Sequence, residues 1–430
     1  MEISLPYGRS SLSARFPPEC DVTVIRKPQM PVLPSPSEAV QSALANAQGA
    51  QPLSEVAQTA ATACILVCDV TRPVPNDILL GPIVSCLTGA KIRPQNILIL
   101  VATGLHRPNE GAELEALIGD RNVLDTTTIA NHIAQDDHAH INLGTTTRGT
   151  PVLLDRRFVE ADLKLVTGLV EPHFMAGYSG GRKVVAPGIA HAETIGVLHS
   201  AAILDDPNCA ACNIERNPLH LEQLEILSML RAHTGSGVYA VNTVIDEDRN
   251  LAFVNFGEIE SSHQAAMDFA ARYCTVQLPS KFETIVTSAA GYPLDQTYYQ
   301  AVKGMVTPLS ILEKKGTLVL AAECKEGLGS DAYRKSQRDL IREGTKAFLK
   351  RISQKSKADI DEWETQMQAN AQEDFEFCLV SDGLSDEDRE LTAVRMAESL
   401  DEGIRFALSR AKSTNVAVIP EGPYVVPQFA

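Results

Sequence analysis

The densest group of side chains able to do chemistry lies in residues 168–199. It holds His173, Lys183, His191 and His199, and its first sixteen residues include four glycines. Glycines let the backbone approach a bulky ligand closely. The residue after Lys183 is valine, so the stretch lacks the Ser or Thr of a Walker nucleotide loop, and it does not match the dinucleotide fingerprint either. His191 and His199 are eight residues apart, whereas paired zinc ligands on a helix are four apart. A glycine-rich structural loop is the alternative, but so many histidines beside a lysine favour a ligand site.

Two shorter groups precede this one. The segment DVTRPVP (residues 69–75) contains Asp69 and Arg72, and its prolines suit the start of a helix. Free backbone N–H groups, a helix N-terminus and an arginine together suit an anion, although a plain turn with an exposed arginine explains the segment equally well. The segment TGLHRP (residues 103–108) contains His106, a side chain able to shuttle protons near neutral pH, although a single histidine is more often structural.

A fourth group, AGYPLDQTYYQAVKG, covers residues 290–304. If the segment is helical from Thr297 onward, Gln300 and Lys303 lie on one face, because residues three apart on a helix are neighbours. Together they suit a hydroxy-carboxylate, and the alternative is a solvated helix face.

Short apolar runs alternate with helical periodicity along the chain, which predicts an α/β fold with mainly parallel sheets. In such sheets ligands bind beyond the carboxyl ends of strands, where the polar groups above begin. The predicted strands are 63–70, 97–102, 163–170, 237–245, 282–288, 316–322 and 416–420, and the clearest helices are 76–87 and 111–118. A weak apolar signal at 272–281 marks a domain boundary. We therefore expect an N-terminal cofactor-binding domain (1–272), on which residues 405–430 pack back, a C-terminal domain (276–400), and an active-site cleft between them.

Composition excludes several classes of function. The net charge of −16 opposes binding to nucleic acid or anionic lipid. No apolar run is long enough to cross a bilayer, and the N-terminus lacks the pattern of a secretion signal. Nine cysteines, an odd number, suit a reducing compartment. We therefore expect a cytoplasmic protein with no nucleic-acid or membrane partner.

The segments DVTRPVP, TGLHRP, EPHFMAGYSGGRK, GVLHS and YPLDQTYYQAVKG occur in this order. With them the chain resembles the nickel-pincer lactate racemase family of 2-hydroxy acid racemases and epimerases. The resemblance extends from about residue 63 to the predicted strand near residue 416.

The resemblance implies a cofactor, the nickel-pincer nucleotide (nickel pyridinium-3,5-bisthiocarboxylic acid mononucleotide), attached covalently at Lys183. It implies that His199 is the protein ligand to nickel, with His191 as the alternative, and that His106 and His173 form an acid/base pair. Further residues implied at the site are Asp69, Thr71 and Arg72 for the cofactor, and Arg72, Tyr299, Gln300 and Lys303 for the substrate. Trp363 matches a family tryptophan near the cleft only loosely.

The implied reaction inverts C2 of a 2-hydroxy acid by moving the α-hydrogen as hydride to the cofactor and back. The adjacent carboxylate makes that hydrogen a poor acid, and no side chain offers an electrophilic carbon, so a cofactor must. Partners are then a small 2-hydroxy acid and the proteins that synthesise the cofactor. Two alternatives stay open: a two-histidine isomerase that needs no nickel cofactor, and a non-catalytic carrier of the cofactor.

Overall fold

Runs of buried aliphatic and β-branched residues form the strands at the centre of the two larger sheets. The computed structural model describes residues 1–429. Its strands are β1 (Glu2–Tyr7), β2 (Ser10–Arg15), β3 (Asp21–Val24), β4 (Ala63–Cys68), β5 (Ile97–Ala102), β6 (Thr128–Asn131), β7 (His140–Thr145), β8 (Pro151–Asp155), β9 (Leu163–Leu169), β10 (Pro172–His173), β11 (Gly177–Tyr178), β12 (Val238–Ile245), β13 (Leu251–Glu258), β14 (Thr275–Leu278), β15 (Phe282–Ser288), β16 (Leu312–Ala321), β17 (Glu376–Val380), β18 (Arg395–Ala397), β19 (Asn415–Ile419) and β20 (Val426–Phe429).

Helices connect most of these strands. The α-helices are α1 (Pro36–Ala45), α2 (Leu53–Val56), α3 (Asn76–Gly89), α4 (Gly111–Ile118), α5 (Arg121–Thr126), α6 (Arg156–Glu160), α7 (Arg182–Val185), α8 (Ala192–Leu198), α9 (Ala201–Leu204), α10 (Pro218–Thr234), α11 (Ile259–Cys274), α12 (Tyr298–Val306), α13 (Asp331–Glu343), α14 (Thr345–Ile352), α15 (Glu362–Asp374), α16 (Asp386–Leu391) and α17 (Leu400–Arg410). Short 3-10 helices are Ala57–Thr59, Pro94–Asn96, Asp137–Ala139, Leu294–Gln296, Thr307–Ile311 and Gly422–Tyr424. No helix within residues 1–429 combines the length and apolar character needed to cross a bilayer.

The described chain divides into two units. The first unit comprises residues 29–198 and 206–273, and the second comprises residues 1–28, residues 199–205 and the chain from residue 274 onward. Each unit is built on a six-stranded sheet.

The sheet of the first unit has the order β13-β12-β9-β4-β5-β6. All neighbours are parallel except β12 and β13. Every residue of β9 is buried, and only the last residue of β4 is not, as expected of strands covered on both faces. The chain leaves β4 toward β5 on one side, while β9 lies on the other side. The carboxyl ends of β4 and β9 therefore flank the point where the strand order reverses, the usual ligand position in open α/β sheets.

The sheet of the second unit has the order β18-β17-β16-β15-β19-β3, and all of its neighbours are parallel. The hairpin β1–β2 covers one face, where Ile3 and Leu5 join a buried cluster with Val286 and Val319. Helix α12 packs on the other face, where Tyr298 and Val302 are buried.

The predicted α/β class with mainly parallel sheets is confirmed. Strands β5 and β15 have the predicted bounds, and β4, β9, β12 and β19 differ from them by one or two residues at an end. The termini differ from expectation. Residues 405–430 were expected on the N-terminal domain, but β19 lies between β15 and β3 in the second sheet, where Val416–Ile419 are buried. Residues 1–28, expected in the first domain, also belong to the second unit.

Candidate active site

The loop after β4 is organised by the Asp69 carboxylate. Asp69 is 5% exposed, and its Oδ1 accepts hydrogen bonds from the backbone N–H (3.2 Å) and the hydroxyl (2.6 Å) of Thr71. An aspartate that binds the backbone two residues later makes the chain turn sharply. The turn fixes one carboxylate oxygen and leaves the other, Oδ2, for a different partner.

That partner is His106, in the loop after β5. Its Nδ1 lies 2.5 Å from Asp69 Oδ2. Burial raises the pKa of Asp69, but hydrogen bonds from His106 and Thr71 and the charge of Arg72 hold it below its ordinary value. Because the carboxylate can only accept, the neutral His106 ring carries its proton on Nδ1, and Nε2 keeps a lone pair. The ring is about half exposed, so this geometry suits a general base.

His173 lies on the short hairpin β10–β11 after β9. Its Nδ1 accepts hydrogen bonds from the backbone N–H groups of Met175 (3.3 Å) and Ala176 (3.2 Å). A nitrogen that accepts cannot carry the proton, so the neutral ring holds it on Nε2. His106 and His173 therefore favour opposite tautomers: His106 offers a lone pair at Nε2, and His173 offers an N–H there.

Arg72 and Glu171 link the loop after β4 to the hairpin. Arg72 Nε lies 3.5 Å from Glu171 Oε1, and both side chains are about four-fifths buried. The backbone N–H of Glu171 binds the Ser179 hydroxyl (3.0 Å), which also donates to Leu169 O (2.7 Å). A carboxylate bound by Arg72 would share the guanidinium with Glu171. The sequence did not indicate Glu171 as a partner of Arg72.

Lys183 is the second residue of α7, a helix that begins directly after two glycines with positive φ, Gly180 (74°) and Gly181 (46°). A side chain at Gly168 would come within 3.0 Å of the Gly180 Cα, so this loop needs glycine where it crosses β9. The segment after Lys183 holds the His106 loop, because Gly104 N–H binds Gly188 O (2.9 Å).

Charged side chains from the loops after β4 and β9 act on the same thiol, that of Cys68, so these loops are close together. Burial, with the charge of Asp69, raises the pKa of the Cys68 thiol to about 11, and the positive charges of Arg72 and Lys183 act against that rise. Cys68 ends β4. The structure thus gathers Asp69, Thr71, Arg72, His106, His173 and Lys183 at the carboxyl ends of β4, β5 and β9, all in the first unit.

The remaining candidates lie in the second unit. The rings of His199 and Trp363 are 4.5 Å apart, and Trp363 Nε1 donates to the Tyr299 hydroxyl (3.0 Å). On α12, Lys303 Nζ donates to Gln300 Oε1, as the spacing of three residues predicted. Trp363, which the sequence matched only loosely, thus lies directly against two candidate residues.

His191 is a poor candidate for a metal ligand. Its Nε2 lies 2.9 Å from Asp137 Oδ1, and its Nδ1 accepts from the backbone N–H of Glu193 (3.1 Å). Both ring nitrogens are therefore engaged within the first unit. Its ring also packs edge-on against His140.

The residues present fit a group that brings its own metal donors. Residues 1–429 contain no group of three or more His, Cys, Asp or Glu side chains arranged to hold a metal ion. A metal held by fewer than three of these side chains needs further donor atoms from a bound molecule. In the second unit His199 carries an imidazole, a group that binds nickel well, and in the first unit Lys183 carries an amine able to form a covalent bond.

Comparisons with known proteins cover the whole chain. The family models for the lactate racemase N-terminal domain and C-terminal domain match residues 7–211 and 279–426. The chain is 30% identical to a lactate racemase of Lactiplantibacillus plantarum over 99% of both chains. It is 29% identical to a lactate racemase of Thermoanaerobacterium thermosaccharolyticum over 99% of this chain and 98% of that one.

Solved structures agree with these matches. The lactate racemase apoprotein from Thermoanaerobacterium thermosaccharolyticum superposes with a TM-score of 0.89 at 28% identity, covering 100% of both chains. A Thermotoga maritima protein shares the fold, with a TM-score of 0.69 at 16% identity over 92% of this chain and 98% of that one. The chain is therefore an isomerase of the racemase class. It belongs to the lactate racemase family.

Proposed function

We propose that this protein inverts C2 of a 2-hydroxy acid, as a lactate racemase does with lactate. The observation that carries the proposal is the pair of histidines with opposite tautomers on loops that follow β5 and β9 of one sheet, His106 held by Asp69 and His173 held by backbone N–H groups. Inversion requires a base that removes the hydroxyl proton and, as the acid so formed, returns one, together with a donor that holds the substrate oxygen; the lone pair of His106 and the N–H of His173 suit these two functions.

Each side chain has a distinct part in the proposed reaction. His106 Nε2 accepts the hydroxyl proton, and the Asp69 carboxylate stabilises the imidazolium that forms. His173 Nε2–H donates a hydrogen bond to the substrate oxygen. Arg72 binds the substrate carboxylate, while Glu171 fixes the direction of its guanidinium. We assign Tyr299, Gln300 and Lys303 to substrate binding from the second unit.

The proposal includes the nickel-pincer nucleotide, with Lys183 attached to it and His199 as the protein ligand to its nickel. Asp69, Thr71 and Arg72 would support it. When bound, this group supplies the electrophilic carbon that takes the α-hydrogen as hydride and returns it to either face. The protein then depends on partners that synthesise and load the cofactor.

The test is racemisation of single enantiomers of lactate and longer 2-hydroxy acids in heavy water, followed by chiral chromatography and mass spectrometry. We expect product that retains protium at the α-carbon, because hydride does not exchange with solvent. Deuterium entering at the rate of racemisation would instead show that the histidines act as carbon bases. His106→Gln and His173→Gln should each lower kcat by about 10²–10⁴ without loss of nickel. Cofactor-loaded protein that racemises none of these acids would favour a carrier.

A further inference from the structure

We propose that Arg182 is a positioning residue that keeps the ring of His173 in its Nε2–H form. Arg182 precedes Lys183 in α7 and is 1% exposed. Its Nη2 donates to the carbonyl oxygen of Ala176 (2.8 Å), and its Nη1 lies 3.2 Å from Nδ1 of His263.

A buried guanidinium without a carboxylate is unusual. None of the ion pairs within residues 1–429 involves Arg182, and its Nε makes no hydrogen bond. Burial lowers the pKa of Arg182 to about 9, so the group is still a cation at neutral pH. Burying a charge without a counterion costs stability. A protein tolerates this loss of stability where the buried charge fixes a particular backbone geometry.

The geometry in question is that of the loop that binds His173. The N–H of Ala176 donates to His173 Nδ1, and the carbonyl of the same residue accepts from Arg182. Arg182 therefore restrains rotation of the backbone at Ala176. While it does so, the N–H groups of Met175 and Ala176 stay directed at Nδ1 and exclude a proton there.

His263 holds the other side of the same loop. Its Nε2 donates to Ser179 O (2.8 Å), while its Nδ1 accepts from Arg182. Burial, with the charge of Arg182, lowers the pKa of His263 to about 3, so the ring is neutral and can donate and accept at once. A side chain at Gly181 would lie 2.5 Å from His263 Cγ, which shows that the ring packs against the loop backbone. Arg182 and His263 thus restrain the loop at Ala176 and Ser179.

The experiment observes the tautomer directly in protein without cofactor. Protein labelled with ¹⁵N at histidine is recorded in long-range ¹H–¹⁵N spectra, and His173→Gln identifies the signals. In the wild type we expect Nδ1 of His173 to be unprotonated and Nε2 protonated. In Arg182→Met the Nδ1 signal should move toward the protonated position, because the loop is released. Arg157→Met is the matched control, since Arg157 also donates to a backbone carbonyl, Asn131 O (3.1 Å).

A second pair of variants guards against loss of folding. His263→Gln keeps one donor and one acceptor and should retain the wild-type tautomer, whereas His263→Leu should shift it as Arg182→Met does. An unchanged His173 tautomer in folded Arg182→Met and His263→Leu would overturn the inference. The inference that Arg182 affects catalysis through His173 rests on the proposed function. If the tautomer shifts while racemisation by loaded protein is unchanged, Arg182 has the inferred role and the proposed role of His173 fails.

Discussion

The most informative single substitution is Asp69→Asn. Both hydrogen bonds from Thr71 go to Oδ1, and His106 faces Oδ2. In the variant, the amide oxygen must stay toward Thr71, because that oxygen alone can accept. The amide nitrogen then faces His106 Nδ1 and donates to it, which forces the proton of His106 onto Nε2. The substitution thus reverses the tautomer with almost no change of shape.

The expected fall in kcat follows from the loss of the hydrogen bond between Asp69 and His106 and of the lone pair at His106 Nε2. The charge-assisted hydrogen bond to His106 contributes about 1.5–3 kcal/mol, or roughly 10- to 150-fold in rate. Loss of a general base costs about 10²–10⁴, and a comparable tautomer reversal in a His–Asp pair costs about 10⁴ in kcat. We therefore expect kcat to fall by about 10²–10⁴. Because two enantiomers are equal in free energy, kcat/KM must fall by the same factor in both directions.

The assay measures racemisation from each enantiomer with cofactor-loaded protein, and ¹⁵N spectra of the unloaded variant report the tautomer of His106. Asp162→Asn is the control. Its carboxylate also accepts from backbone N–H groups, those of Ala61 (3.0 Å) and Thr62 (2.9 Å), but no histidine contacts it in the described chain. The control should stay within about twofold of the wild type. A folded Asp69→Asn variant that keeps a tenth or more of wild-type kcat/KM would refute the reasoning.

Three further predictions concern stability and attachment. Burial raises the pKa of Asp155, but hydrogen bonds from Arg157 and His132 lower it far below its ordinary value. Asp155→Asn should therefore cost about 2–3 kcal/mol in urea unfolding at pH 7. That difference should shrink below about pH 4, because a carboxyl with a depressed pKa stabilises fully only above its unfolded pKa, and the stabilisation declines as the pH falls toward its folded pKa. An equal difference at pH 3 would contradict this prediction. Burial lowers the pKa of His263 and His220 to about 3, so unfolding takes up protons below about pH 6.5 and the free energy of unfolding should fall on acidification. His263→Gln should reduce the slope of the free energy of unfolding against pH by up to about 1.4 kcal/mol per pH unit. An unchanged slope would contradict this prediction. Lys183 should carry added mass only in protein made with the cofactor-synthesis proteins, and tight cofactor binding by Lys183→Ala would show that covalent attachment is dispensable.

The sequence predicted the strands that carry the candidate site well. Ile97–Ala102 and Phe282–Ser288 are apolar runs bounded by polar residues, and both form strands with those bounds. Polar groups after β4, β5 and β9 marked the loops correctly, because parallel strands of one sheet end at the same edge. Local sequence was sufficient for these features.

Other features depend on residues far apart in sequence, and local patterns could not reveal them. Strand β3 is short and half exposed, and it pairs with β19 almost four hundred residues later. Arg182 meets His263, which is separated from it by 81 residues. Nothing near either residue indicates the other. The tautomers of His106 and His173 likewise depend on which neighbours the folded chain directs at Nδ1.

The pairing of β3 with β19 has a consequence for how the protein is made. The ribosome releases residues 21–24 first, and their partner, residues 415–419, emerges only after almost four hundred further residues have been made. The first unit is complete once residue 273 has emerged and can fold while translation continues. The sheet of the second unit cannot be completed until β19 has been synthesised, and β3 lacks its partner strand until then. A gene cut near residue 274 would therefore yield a C-terminal fragment without its edge strand and without the β1–β2 hairpin, so exposed apolar surface and aggregation are expected of that fragment.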